Sequence, residues 1–166
     1  MPNLRILKEN TSLPHFITLT TVHWYYLFDR LNRWQILADA LQFQIKKHNL
    51  TIYAYVFMLN HLHMILIAPD LIGVIRDFKK FTTYQMKLSL CANEPRVLNL
   101  LKDEKDKFQL WQPDNMPIVI ESKNVLLQKL NYIHNNPVKK QYVNLPEYWH
   151  WSSANPISPI PIAPID

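Results

Sequence analysis

Asn60-His61-Leu62-His63 sets two imidazoles either side of one apolar residue, at the head of the strand-like run Met64-Ile65-Leu66-Ile67. Successive side chains on a strand point to opposite faces, so His61 and His63 share one face while Leu62 and Met64 share the other. Two imidazoles on adjacent same-face positions can both reach one metal ion. Two readings stand at this point: part of a metal site, or a pair of partly exposed strand histidines with no chemical task. The choice turns on whether the chain supplies a third ligand and a reacting group.

Lys123 to Asn136 offers both. It reads as a helix capped by Ser122. Gln128, Tyr132 and Asn136 lie four residues apart and form one polar stripe, with Leu126, Leu130 and Ile133 roughly opposite. Tyr132 and Asn136 therefore project together, one turn apart. Pro137 disfavours helical geometry in the residue before it, which sets Asn136 at the helix end. Taken singly, Tyr132 also reads as a half-buried aromatic with its hydroxyl in water, and Asn136 as a simple C-terminal cap. Tyr142 and Tyr148 lie beyond Pro137, lack a partner at i+4 and rank below Tyr132.

The elements that must position these groups alternate along the chain. His15 to His23 is β-rich and alternates apolar with polar residues, a first strand. Phe28 to Asn49 is a helix with Trp34, Leu37, Ala38, Leu41 and Ile45 on one stripe. Leu50 to Met58 is a strand, and Leu59-Asn60 turns it into the strand from His61 to Ala68. A second helix covers Asp70 to Leu90, with Ile75, Phe78, Thr82 and Met86 inward. Cys91 to Lys107 reads as a polar, mobile stretch, Met116 to Glu121 as a fourth strand. The order β-α-β-β-α-β is the ferredoxin-like pattern, α+β, with a four-stranded antiparallel sheet, two helices on one face and a further helix carrying Tyr132. Residues 1–154 form the single catalytic domain of this reading; residues 155–166, with four prolines, form an extended tail outside the core.

Composition bounds the chemistry. The 166 residues suit one domain with a sizeable core, and 48% hydrophobic content argues against disorder. Cys91 is the only cysteine, which removes disulfides and cysteine-based zinc sites and fits a reducing cytoplasm. Met1 to Pro14 shows no apolar signal-peptide core. The apolar stretch Tyr53 to Ile75 is broken by Asn60, His61, His63, Pro69 and Asp70, so it reads as a buried hairpin and not a membrane span. Gly73 is the only glycine, which excludes glycine-rich phosphate cradles. A net charge of +5 favours a polyanionic partner.

Together the pieces are recognisable. Tyr55-Val56-Phe57-Met58-Leu59-Asn60-His61-Leu62-His63-Met64-Ile65-Leu66 resembles the histidine-hydrophobe-histidine strand of single-tyrosine (HUH) transposases. Leu130-Asn131-Tyr132-Ile133-His134-Asn135-Asn136-Pro137-Val138-Lys139, Trp151-Ser152-Ser153, Arg76-Asp77-Phe78-Lys79-Lys80-Phe81-Thr82 and Leu110-Trp111-Gln112 resemble the REP-associated tyrosine transposases. The resemblance runs from about Phe16 to Ser153, with its motifs in order. It implies a DNA-nicking and strand-transfer enzyme dependent on Mg²⁺ or Mn²⁺. His61, His63 and Asn136 would be metal ligands and Tyr132 the nucleophile, forming a 5′-phosphotyrosine link and a free 3′-hydroxyl. The implied substrate class is single-stranded hairpin DNA from repetitive extragenic palindromes. Pro113-Asp114-Asn115-Met116-Pro117-Ile118 departs from the family pattern, so no DNA contacts are carried over from that loop.

DNA binding has its own signals. Arg76, Lys80, Thr83 and Lys87 form one stripe on the second helix, with Lys79 beside it, suited to phosphate contacts or equally to a solvated face. Lys139 and Lys140 follow Tyr132 closely enough to hold DNA beside it. Tyr148-Trp149-His150-Trp151 offers stacking surfaces for bases, or an anchor against the sheet, the preferred reading for Trp151. His134 reads as structural. Two other functions remain open from sequence: a non-catalytic nucleic-acid-binding module, and a metal-dependent nuclease using water. No membrane partner is expected, and monomer and homodimer are equally compatible with the sequence.

Overall fold

The computed structural model describes residues 12–114 and 117–166. Four strands, β1 (His15–Thr20), β2 (Thr51–Phe57), β3 (His61–Ile67) and β4 (Ile118–Val119), form an antiparallel sheet in the order β2-β3-β1-β4. This is the ferredoxin-like order, with the histidine strand β3 central. The helices are α1 (Trp34–His48), α2 (Leu71–Asn93), the short α3 (Pro95–Leu100) and α4 (Lys123–Lys139).

Alternation along the strands builds two layers. Ile17, Leu19, Leu62, Met64 and Leu66 pack with Leu37 and Leu41 of α1 and with Ile75, Phe78 and Met86 of α2. Phe16, Ala54, Val56 and Ile65 face the other way and pack against Ile133 of α4, beside Leu126 and Leu130. His61 and His63, in phase with Ile65, therefore open toward α4.

Ser122 caps α4 as expected, its hydroxyl accepting from the Val125 amide at 3.3 Å. Asp70 caps α2 by accepting from the Gly73 amide. A Cβ on residue 73 would clash with the Asp70 carboxylate, so a side chain there would push the capping group aside.

Several boundaries differ from expectation. The first helix begins at Trp34, after a 3₁₀ turn at Arg30–Asn32 whose Leu31 and Asn32 adopt positive φ. The fourth strand shrinks to two residues, and the Met116 end of that prediction lies outside the described residues. Asn136 does not end its helix: α4 continues through Pro137 to Lys139, because burial of Ile133, Asn136 and Pro137 against the sheet outweighs the proline's local preference. The tail is extended but not outside the core. Ile160 is buried, the Ala163 amide donates to the Ile52 carbonyl at 2.8 Å, and Ser158 meets the Tyr55 hydroxyl. These contacts cover the outer edge of β2.

The stretch read as mobile is instead organised. α2 extends to Asn93, α3 follows, and Asp103 accepts from the amides of Lys105 and Lys107. Glu94 between the helices meets Arg30 and the fully buried Arg33, both at 2.6 Å. Glu94→Ala would leave the Arg33 charge buried without its counterion, and about 3 kcal/mol of stability is expected to be lost. Urea unfolding measures this, and a midpoint equal to that of the native chain would refute it.

Candidate active site

The site grows from the pleat of β3. His63 lies opposite Thr18 of β1 and Val56 of β2, and its Nδ1 is 2.7 Å from the Thr18 hydroxyl. Phe16 stacks on the His63 ring, with centroids 5.4 Å apart, and fixes its plane. His61 is held through Asn60. The Asn60 amide nitrogen donates to the Trp24 carbonyl at 2.9 Å, which turns its oxygen to the His61 Nδ1 at 2.7 Å. An amide oxygen only accepts, so Nδ1 carries the proton and Nε2 of His61 carries the lone pair.

The two rings stand 4.9 Å apart, centroid to centroid. Burial pushes His61 down to about 4, with help from the Lys140 charge, and pushes His63 down to about 3, with help from His61 and Lys129. Both imidazoles are therefore neutral at pH 7 and available as ligands.

α4 brings its polar stripe over this pair. The Tyr132 ring lies 5.1 Å from the His63 ring and 5.9 Å from Phe16. Tyr132 keeps 41% of its surface exposed, whereas Asn136, one turn on, keeps 6%. Tyr132, Asn136, His61, His63, Thr20 and Lys140 line one cavity of about 320 Å³. Among the described residues no third His, Cys, Asp or Glu joins the histidines. Two neutral imidazoles and the Asn136 amide are the available donors, a set that fits a divalent cation whose remaining positions go to water or phosphate oxygen.

No family model and no curated protein matches this chain. Among solved structures, a REP-associated tyrosine transposase bound to a REP hairpin superposes with a TM-score of 0.69, over 92% of this chain and 82% of that one, at 22% identity. The fold is that of a REP-associated tyrosine transposase. A candidate transposase from Deinococcus radiodurans R1 matches with a TM-score of 0.49 at 20% identity, over 74% of this chain and 89% of that one.

Within this transposase fold, His61, His63, Tyr132, Asn136 and Lys140 meet at one cavity, and Lys139 Nζ lies 5.7 Å from the centre of the Tyr132 ring. Arg76, Lys79, Lys80 and Lys87 are not brought there. They ride on α2, which packs behind the sheet on the face away from the histidines. Arg76 pairs with Asp77 at 3.0 Å, and Lys79 Nζ reaches toward the Gln112 carbonyl. Trp151 is a buried anchor and the partly buried Trp149 donates to the Phe57 carbonyl, which leaves Tyr148 and His150 as the exposed rings of that cluster. His134 Nε2 meets the Ser153 hydroxyl at 2.8 Å, a structural contact as expected. No membrane-length apolar helix occurs among the described residues.

Four contributors were not singled out from sequence. Lys129 sits over Phe16, 4.7 Å from the ring centre, and its signal was the i−3 spacing from Tyr132. Asn60 and Thr18 orient the histidines. Trp24, in the run Trp24-Tyr25-Tyr26 after β1, also lines the cavity.

The depressed histidines make stability depend on pH. Their folded values lie below the ordinary 6.5, so the unfolded chain binds protons first as pH falls. Stability is whole above about pH 6.5 and declines toward pH 4, by up to about 1.4 kcal/mol per pH unit for each ring. Melting temperatures from pH 7 to pH 4.5 should fall, and His61→Gln combined with His63→Gln should flatten the decline. A native melting temperature constant across that range would contradict these shifts.

Proposed function

We propose that this chain is a divalent-metal-dependent enzyme that nicks and rejoins single-stranded or hairpin DNA through a covalent bond to Tyr132. The observation that carries it is the Tyr132 ring 5.1 Å from His63, in a cavity shared with His61 and Asn136. The structural neighbour bound to a REP hairpin supports the substrate class, as does the net charge of +5.

His61, His63 and Asn136 would hold Mg²⁺ or Mn²⁺, which supplies Lewis-acid polarisation of the phosphoryl oxygens. Lys139 and Lys140 add positive charge where a phosphate must lie. The Tyr132 oxygen attacks phosphorus, the bond to the 3′-oxygen breaks, and the proton lost by the phenol is balanced by one gained at that oxygen. The products are a 5′-phosphotyrosine and a 3′-hydroxyl. A phenolate leaves more readily than an alkoxide, so a second 3′-hydroxyl can reverse the step and join strands. Phe16 and the buried strand face keep the ring planes fixed during both halves.

Labelled hairpin DNA incubated with the protein and Mn²⁺ should yield a protein–DNA adduct that survives denaturing electrophoresis. Cleavage without adduct would replace Tyr132 by water, and binding without cleavage would make the chain a recognition module.

A further inference from the structure

α4 carries a charge where its own pattern calls for an apolar side chain. Val125, Lys129 and Ile133 form a row at four-residue spacing, and Val125 and Ile133 both pack on the sheet beside Phe16 and Ile65. Lys129 lies between them, half-buried, with its ammonium 4.7 Å from the centre of the Phe16 ring and 6.0 Å from that of Tyr132. A lysine in such a row can lay its methylene stem on apolar surface and keep its charge toward water. Among the described residues no carboxylate pairs with Lys129, Lys139 or Lys140, and none lines the histidine cavity. The anion that would neutralise these three charges has to come from outside.

Strand register sets the groups along a line. Phe16, Thr18 and Thr20 share one face of β1 and lie opposite Ile65, His63 and His61 of β3. At roughly 3.3 Å per residue, Phe16 and Thr20 stand about 13 Å apart. Lys129 is at the Phe16 end. Lys140 is at the other end, where it lines the cavity with Thr20 and His61. Both imidazoles fall between the two lysines. Lys129 does not itself line the cavity, so a phosphate seated at the histidines is not the one its ammonium meets.

We infer that Lys129 holds the DNA backbone phosphate next to the scissile one, on the side of the histidines opposite Lys140. This rests on the proposed DNA chemistry and adds to it the path of the strand, which runs along the Phe16–Thr18–Thr20 face of β1. A lysine suits the task because its ammonium is a point charge on a flexible stem and meets a phosphate oxygen from many angles. Lys129 is thus a positioning residue. With phosphates held on both sides of the cavity, the phosphorus between them is kept in line with the Tyr132 oxygen.

The test follows binding of a hairpin DNA with single-stranded flanks by fluorescence anisotropy, in Ca²⁺ to suppress cleavage, across a series of KCl concentrations. Lys129→Met keeps an unbranched stem for Phe16 and removes the charge. It should weaken binding by about 5-fold and lower the slope of log affinity against log salt by about 0.7, the share of one phosphate on a single strand. Lys129→Arg should restore the slope, and Lys46→Met, at the far end of α1, should leave it unchanged. The linkage at which native protein forms its adduct in Mn²⁺ is then located, and each neighbouring linkage is replaced in turn by an uncharged methylphosphonate. One replacement should weaken native binding by about 5-fold and leave Lys129→Met indifferent, and the replacement across the nick should leave Lys140→Met indifferent. An unchanged salt slope in Lys129→Met, or full sensitivity of that variant to both replacements, would overturn the clamp while an adduct in native protein leaves the DNA chemistry standing. A native protein that forms no adduct would overturn both.

Discussion

Tyr132→Phe is expected to abolish the covalent protein–DNA adduct while leaving hairpin affinity within about two-fold of native. The substitution removes one oxygen atom. The ring that packs at 5.1 Å from His63 and 5.9 Å from Phe16 is retained, so the cavity keeps its shape. The Lys129 and Lys139 ammonium groups keep the aromatic face near which they lie. What is lost is the atom that would bond to phosphorus, and with it a rate factor on the order of 10⁴ or more, since residual catalysis by the remaining groups would have to recruit water. The measurement is adduct yield on a denaturing gel, paired with anisotropy for binding. Full adduct yield in the phenylalanine variant would remove Tyr132 from the chemistry, and Tyr142, which lines the same cavity and stacks on Trp149, would become the residue to change.

The second large effect concerns the metal. His61→Ala should reduce Mn²⁺-dependent nicking by about 10³-fold, and it should also erase the rise in melting temperature expected of the native chain in Mn²⁺. His61 is the better of the two histidines to substitute. His63 is wedged between Phe16 and Tyr132 and bonded to Thr18, so its removal also disturbs packing. Calorimetric titration with Mn²⁺ in the absence of DNA separates ligand loss from catalytic loss. Native affinity in His61→Ala would show that this imidazole does not hold the ion.

The site was legible where its logic is local. The two-residue period of a strand puts His61 and His63 on one face whatever the rest of the chain does, and the 3.6-residue period of α4 puts Tyr132 and Asn136 together. That these two surfaces meet also follows from apolar pattern, since Ile133 and Leu130 need a sheet face to cover and Ile65 and Val56 offer one. The α2 lysines illustrate the opposite case. Their stripe is readable from spacing, but the side of the sheet on which a helix lies is set by the handedness of the chain crossovers, not by the helix itself. The tail was misplaced for a similar reason. Four prolines predict extended chain correctly, yet nothing local says that β2 leaves an Ile52 carbonyl for Ala163 to meet. Trp24 was missed because a left-handed turn at a non-glycine residue has no compositional signature; it is imposed by distant groups such as Asn60 and Leu110.

Pro137 carries a mechanical consequence. Proline has no amide hydrogen, so the rung that would join residue 137 to the Ile133 carbonyl is missing from α4. The gap falls in the turn that separates Tyr132 from Asn136. Burial of Ile133, Asn136 and Pro137 against the sheet takes the place of that rung and holds the helix on both sides of the gap. The relative placement of Tyr132 and Asn136 is thus set by packing on the sheet where the helix ladder is one rung short.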